Sequence, residues 1–339
     1  MSETRKLQRI GGSTLYVSLP KRWTNKTHLK QGDKVTLVQQ PDDSMYIYPT
    51  AKQEKTREII LEINAKDSRQ SLTRGITAAY VDGFDIIKLK AEERLTEEQQ
   101  DIIREIIDNL FGLEVIEVRG NTITVQCLLK QTLPIEKTMQ RIHNVILSMF
   151  GETVSALKEQ DISPVKSLAR RMHDIKRLSL VSNRLLRSMI VFPRSAKQME
   201  VSLIDCVDYL RILHIIAEIA DNVNKISESV IVLSEQALPK SILKPLCQTC
   251  IPMQDLYDQS IRALLSKDIP LANHVLDGKL TLENLWKLCI EADEKSEISS
   301  LALSHAYLLI DNLKQIQQYA AEIAEIAIDR AEAEIKKTD

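Results

Sequence analysis

The residues of this chain best suited to chemistry are charged ones in two settings. Near the N-terminus, RKLQRIGGSTLYVSLPKRW gathers Arg5, Lys6, Arg9, Lys21 and Arg22 in one short, glycine-punctuated stretch. Residues 1–30 hold seven basic side chains, Lys26 and Lys30 included, against one acid, Glu3: a local balance of +6 in a chain of net charge −2. Such a cluster suits a polyanion, because each neutralised phosphate releases counterions and gives salt-dependent affinity without base contacts. The competing reading is a solvated basic surface. Further on, the helical sequence carries a histidine and a glutamate four residues apart. His214 lies one turn before Glu218, a spacing that permits shared ligation and more often marks a surface pair.

Little else points to a reaction. There is no nucleophile–base constellation, no phosphate-binding glycine loop and no complete metal set, so an enzyme is not expected. The cysteines (Cys127, Cys206, Cys247, Cys250, Cys289) are odd in number, and the lone CxxC of Cys247 and Cys250 lacks the second pair a zinc ribbon needs. They read as reduced, apolar residues. Aromatics at 4% argue against an RNA-stacking surface and an all-β sandwich, while 44% apolar residues are ample for a core. No basic-plus-apolar leader and no long uncharged apolar run is visible, so a cytoplasmic protein without membrane insertion is expected.

Elements must position these groups, and glycine marks the first boundary. Seven of nine glycines precede residue 121, so the front third is rich in strands and turns and the rest is helical. Within 5–49, LYVSL, KVTLV and MYIYP alternate between turn signals GG, QGD and PDD, with a short helix opening at Pro20. Gly11 and Gly12 suit a tight turn or bulge, Trp23 a small hairpin core, and Asp33 a turn that satisfies local amides. Residues 57–131 read β-α-β-α-β-β: REIILEI, a helix capped by Asp67 or Ser68, FDIIKLKA, a helix from Thr96 to Gly112, and a hairpin of LEVIEV and TITVQCLL across RGN. That order predicts a small two-layer α+β domain.

From Pro134 onward apolar residues recur at three and four. The stripes are Leu168, Met172, Ile175, Leu178, Leu185, Met189; then Val207, Leu210, Leu213, Ala217, Ala220, Val223; then Ala306, Leu309, Leu313, Ile316, Ala320, Ile323, Ala327. Breaks are expected at Pro164, Pro193, Pro239 and Pro270. The helical part repeats: ALKEQDI at 156–162 reads against ALLSKDI at 263–269, and IADNVNKISESV at 219–230 against IQQYAAEIAEIA at 316–327. Two stacked three-helix bundles follow. The fold class expected is therefore α+β multidomain, with domains at 1–50, 51–132, 133–237 and 238–339.

Two resemblances sit on these residues. RIGGSTLYVSLPKRW followed by LKQGDKVTL and MYIYP resembles the swapped-hairpin domain of the AbrB/SpoVT family, in which two chains interlace hairpins into one barrel and present basic side chains to DNA. The helical repeat, with IADNVNKISE and YAAEIAE, resembles the PhoU family of phosphate-uptake regulators. The combination looks like the archaeal branch of that family. The first resemblance implies a homodimer that holds DNA through Arg5, Lys6, Arg9, Lys21 and Arg22. The second implies iron or zinc clusters bound by bundle carboxylates. Here the sequence departs from the pattern. Asp221 matches the family aspartate, but Ala217 stands at the first acid position, and Lys314 and Gln318 stand at both acid positions of the second copy. Asp221, Glu218 and Asp174, helped by His173, are the candidates for a residual divalent or iron site, set against a solvated face. Glu228 and Glu325 are then free to pair across the bundle. Two functions are implied: a phosphate-responsive transcription regulator whose bundle senses a signal or partner, or a modulator docking on the ATPase of a phosphate importer, the hairpins merely dimerising.

Overall fold

The computed structural model describes residues 3–39, 43–49, 56–64, 66–129, 134–192, 201–236 and 238–338. The expected domain edges at 50/51, 132/133 and 237 and the break at Pro193 lie outside these residues. The chain forms two compact units, one ending at Thr56 and one beginning at Arg57.

The first unit holds two separate hairpins and a short helix. β1 (Gln8–Ile10) pairs antiparallel with β2 (Thr14–Tyr16). β1 is an addition to the strands expected from sequence, and the turn between the two strands takes Gly11 at φ 64°, a backbone that favours glycine. α1 (Lys21–Thr27) begins after Pro20, and β3 (Val35–Gln39) pairs with β4 (Met45–Pro49). Asp33 accepts from the Lys30 amide at 2.7 Å, closing the turn before β3.

The second unit starts with a four-stranded mixed sheet in the order β5-β6-β8-β7: β5 (Glu58–Ile63), β6 (Ile86–Ala91), β7 (Leu113–Arg119) and β8 (Thr122–Cys127). β5 and β6 run parallel, which requires a crossover, and α2 (Arg69–Val81) supplies it. Ser68 caps α2, accepting from Ser71, while Asp67 accepts from the Asn64 amide. α3 (Glu97–Asp108) opens on a capping box between Thr96 and Gln99. Ile76, Tyr80, Ile103 and Ile107 on these helices pack on Ile87, Leu89, Ile123 and Val125 of the sheet, and the fully buried Tyr80 donates its hydroxyl to the Phe111 carbonyl at 2.8 Å.

The remaining helices are α4 (Ile135–Glu159), α5 (Leu168–Val191) after a 3-10 turn at Pro164–Ser167, α6 (Leu203–Glu235), α7 (Lys240–Ser266), α8 (Ile269–Asp277), α9 (Glu283–Glu294) and α10 (Ser300–Thr338). Pro239 precedes α7 and Pro270 sits in the first turn of α8, as expected. The second copy departs from a plain three-helix plan, because its middle element is two short helices broken at 278–282. Helices of both copies bury one continuous core, with Ile146, Phe150, Ile216, Val223, Met253, Tyr257, Leu313 and Ile323 all in it. The α10 stripe is buried throughout. On α6 the expected stripe is buried at Leu213, Ala220 and Val223 and 53% exposed at Val207, and the buried arc is wider than that stripe, with Cys206, Tyr209, Ile212 and Ile219 also inside, since this helix packs against α4, α5 and α10 together.

Two buried polar groups fix this architecture. Arg184 of α5 donates to the carbonyls of Tyr80 (2.6 Å) and Phe84 (2.9 Å), with Asp85 at 3.5 Å, so it fastens the α/β layer to the bundle. Gly83 between those carbonyls has φ 84°, and a Cβ there would stand 2.6 Å from Ser188 Oγ of α5. His143 of α4 is buried, its Nε2 3.0 Å from Asp258 of α7 and its ring edge-on to Tyr257. Burial pushes its pKa below 6.5, and the Asp258 carboxylate opposes that shift without reversing it.

Arg184→Met leaves two carbonyls unsatisfied and is expected to lower the unfolding free energy by about 2–3 kcal/mol in urea titrations, against less than about 1 kcal/mol for Arg187→Ala, whose ion pair with Asp82 is half exposed. For His143 the sign runs from the unfolded chain, which takes up the proton near 6.5 while the folded chain takes it up only at lower pH. Stability is therefore full above that value and falls as pH drops through the window below it. His143→Gln should flatten this part of a Tm-versus-pH curve.

Candidate nucleic-acid interface and the bundle face

The N-terminal basic residues lie on the hairpins and α1. Arg9 is in β1 opposite Leu15, and Lys21 and Arg22 form the first turn of α1. Lys6, Arg9, Lys21 and Arg22 are all exposed, and Arg5 pairs with Glu3 at 3.1 Å. The structure thus places these five on one small unit.

That unit has a second property: none of its described residues is buried. Leu7, Leu15, Val17, Leu37, Met45 and Tyr46 are all more than 40% exposed, and Trp23, expected in a hairpin core, is only half-buried. Two-stranded hairpins are marginal in water unless an apolar face is covered. Alternation along LYV and VTLV, with few polar positions between, is the sequence signal for this face.

The bundle residues are arranged otherwise. Asp221 pairs with Lys225 at 2.6 Å, one turn on along α6, and that contact raises the Lys225 pKa. The Asn222 amide is held by the Glu218 carbonyl at 2.7 Å. Asp174 lies on α5, 4.0 Å from His173, in a groove lined by Lys137, Arg141 and Arg171. His173 itself bonds Asn109 at 2.5 Å. Glu228 accepts from Asn224 of its own helix at 2.8 Å, and both Glu228 and Glu325 are exposed. Ala217 is half-buried, while His214, Lys314 and Gln318 lie on the outer faces of their helices, half-buried at most. Among the described residues no group of three or more His, Cys, Asp or Glu is placed to hold a metal ion. The donor set does not fit a carboxylate-bridged cluster: Asp221 already holds an ammonium, Asp174 sits among cations, and the second copy offers Lys314 and Gln318. Lys225 is legible in the sequence as the i+4 partner of Asp221.

The CxxC cysteines are internal to α7. Burial pushes the Cys250 thiol up to about 12, and Cys247 is raised for the same reason. Thiols held protonated are poor ligands and nucleophiles. No helix among the described residues is long and apolar enough to cross a membrane.

A hairpin unit of exposed cations and apolar side chains, joined to a sheet layer and a repeated helical bundle, defines the class of the molecule, and comparison gives a family to the hairpin unit and to the first helical copy. Residues 8–55 match the family described as antidote-toxin recognition MazE, bacterial antitoxin, and residues 139–230 match the PhoU domain. The chain thus joins a MazE/AbrB-like N-terminal domain to a PhoU domain. Among solved structures, PhoU from Pseudomonas aeruginosa is similar at a TM-score of 0.51 and 15% identity, covering 57% of this chain and 93% of that one. The phosphate transport system regulatory protein PhoU from Streptococcus pneumoniae gives 0.47 and 16%, over 57% and 91%. At 15% identity the Pseudomonas likeness is one of fold. No curated protein matches the chain.

Asp221→Ala is expected to change the unfolding free energy by no more than about 0.5 kcal/mol, as for other surface substitutions, and to do so equally with and without added zinc or ferric iron. A metal-dependent loss of stability in chemical denaturation would show a site on this face.

Proposed function

We propose that the protein is a phosphate-responsive transcription regulator. A dimeric N-terminal unit holds DNA, and the PhoU-type bundle senses a signal or a partner. One observation carries the reading: a unit whose first 30 residues carry a local charge of +6, and whose described residues include none that is buried. A second copy covering the exposed Leu15, Leu37 and Met45 supplies the missing core and doubles the cationic surface. The match of residues 8–55 to the MazE family supports the same arrangement. Arg9, Lys21 and Arg22, with Arg5 and Lys6, contact phosphates, which position the protein on the duplex without reading sequence. The PhoU domain connects that contact to phosphate regulation. Such coupling needs two bundle states with different DNA affinities. The protein on this reading acts by binding and has no reaction to catalyse.

A second reading rests on the same PhoU match and on the exposed apolar side chains of the first unit, which dimerisation alone would cover. In it the bundle docks on the ATPase of a phosphate importer and the hairpins only dimerise.

Labelled duplex from upstream of the phosphate-importer genes, titrated by anisotropy at several salt concentrations, separates the two. The regulator binds it more tightly than a scrambled duplex, with log K falling linearly in log salt at a slope of about −0.9 per phosphate contacted. Lys21→Glu with Arg22→Glu should abolish binding while leaving the dimer intact in analytical ultracentrifugation. Absence of binding at low salt with an intact dimer would sink the DNA role.

A further inference from the structure

Within the second unit, a groove of about 240 Å³ opens at the seam between the α/β layer and the bundle, and none of the carboxylates of the Asp221 face lines it. Three helices build it. α2 presents Arg69, Thr73 and Thr77, spaced four apart on one face; α3 and its C-terminal end present Ile106, Asn109 and Leu110; α5 presents His173, Lys176, Arg177 and Leu180. The rim is cationic, and no carboxylate lines it. Glu105 pairs with Arg69 of the rim at 2.6 Å and offsets its charge, so the cations that count are Lys176 and Arg177 of α5; Asp174 lies 4.0 Å from His173 on the side towards α4.

Arg177 is half-buried, its guanidinium 5.8 Å from the Phe111 ring, and it brings a planar fork of donors to the groove wall. His173 is already oriented, with its Nε2 against Asn109 Oδ1, and Asn109 is in turn held by the Glu105 carbonyl at 2.8 Å. The floor is apolar, because Ile106 and Leu110 belong to the α/β core and Leu180 packs against it.

We propose that this groove binds a small phosphate monoester, its phosphate between Lys176 and Arg177 and its organic body on Ile106, Leu110 and Leu180. A guanidinium fork and an ammonium suit a dianionic phosphate head. The volume is just below the roughly 300–1,000 Å³ of clefts that hold drug-sized ligands, which suits a mononucleotide or a sugar phosphate. Inorganic phosphate would leave the floor uncovered. Walls from both sides of the seam mean that the occupant tightens the contact between sheet layer and bundle.

The test is isothermal titration of the full-length protein at fixed ionic strength with AMP, glucose 6-phosphate, adenosine and inorganic phosphate. The expected result is saturable binding of at least one monoester at one site per chain, with adenosine and inorganic phosphate at least tenfold weaker. Lys176 is exposed, so Lys176→Glu should fold and weaken that binding at least tenfold. Arg177→Lys keeps the charge and removes the guanidinium fork, and should weaken it as well. Lys287→Glu, an equal charge change on exposed α9, should leave it unchanged. The proposal is overturned if neither monoester binds, if both groove variants bind like the wild type, if Lys287→Glu weakens binding as much as Lys176→Glu, or if adenosine or inorganic phosphate binds as tightly as the monoester.

Discussion

The second unit depends on a charge taken out of water. Arg184 is about 6% exposed, and a guanidinium cannot shed its proton to escape burial. It is tolerated because Tyr80 at the end of α2 and Phe84 in the loop after it turn their carbonyls towards it and Asp85 supplies a nearby carboxylate. Those acceptors exist in one relative position of sheet layer and α5 only. Shape enforces the same position, since Gly83 leaves room for Ser188 where any side chain would collide. Arg57 extends the contact, donating to the Asp82 carbonyl and lying over the rings of Phe84 and Phe192. The cationic groove at the seam follows from this fastening, because α2, α3 and α5 come together only when it is made.

The first unit is built on the opposite logic. It has cations and apolar side chains in abundance, and none of its described residues is buried. A second copy completes it on the proposed reading: identical hairpins offer identical apolar faces, and a two-fold arrangement satisfies both at once. On the proposed reading, the core that holds the dimer together also sets the spacing of the cations that meet DNA.

The bundle face shows that a fold and a site make different demands on sequence. A likeness of fold at 15% identity is physically reasonable, because apolar stripes need only suitable volume and spacing. A carboxylate cluster needs particular residues at particular turns, and Ala217, Lys314 and Gln318 stand at the positions where the resemblance implies acids. The remaining aspartate is neutralised by Lys225, so the helix surface reads as an ordinary solvated one.

Much of this is local and therefore legible in the sequence. Caps at Ser68 and Thr96, the turn at Gly11 and the proline-marked starts of α7 and α8 depend on neighbours within a few residues. So does the α10 stripe, and charge balance needs no fold at all. The order of strands and helices in 57–131 follows from periodicity and turn residues. What the sequence leaves open is every relation between distant segments. β1 is too short to announce itself without its partner strand. The buried arc of α6 is wider than its periodicity suggests, because three helices rather than one surround it, and the second copy's middle helix breaks where a third long helix is expected. Arg184 reads as one more exposed base in a polar helix until its partners, 100 and 104 residues away, are brought to it. Arg177 and Lys176 likewise become a site only beside Thr77 and Leu110. Burial and complementarity are properties of surfaces, and a surface made from three helices is decided only when tertiary packing brings them together.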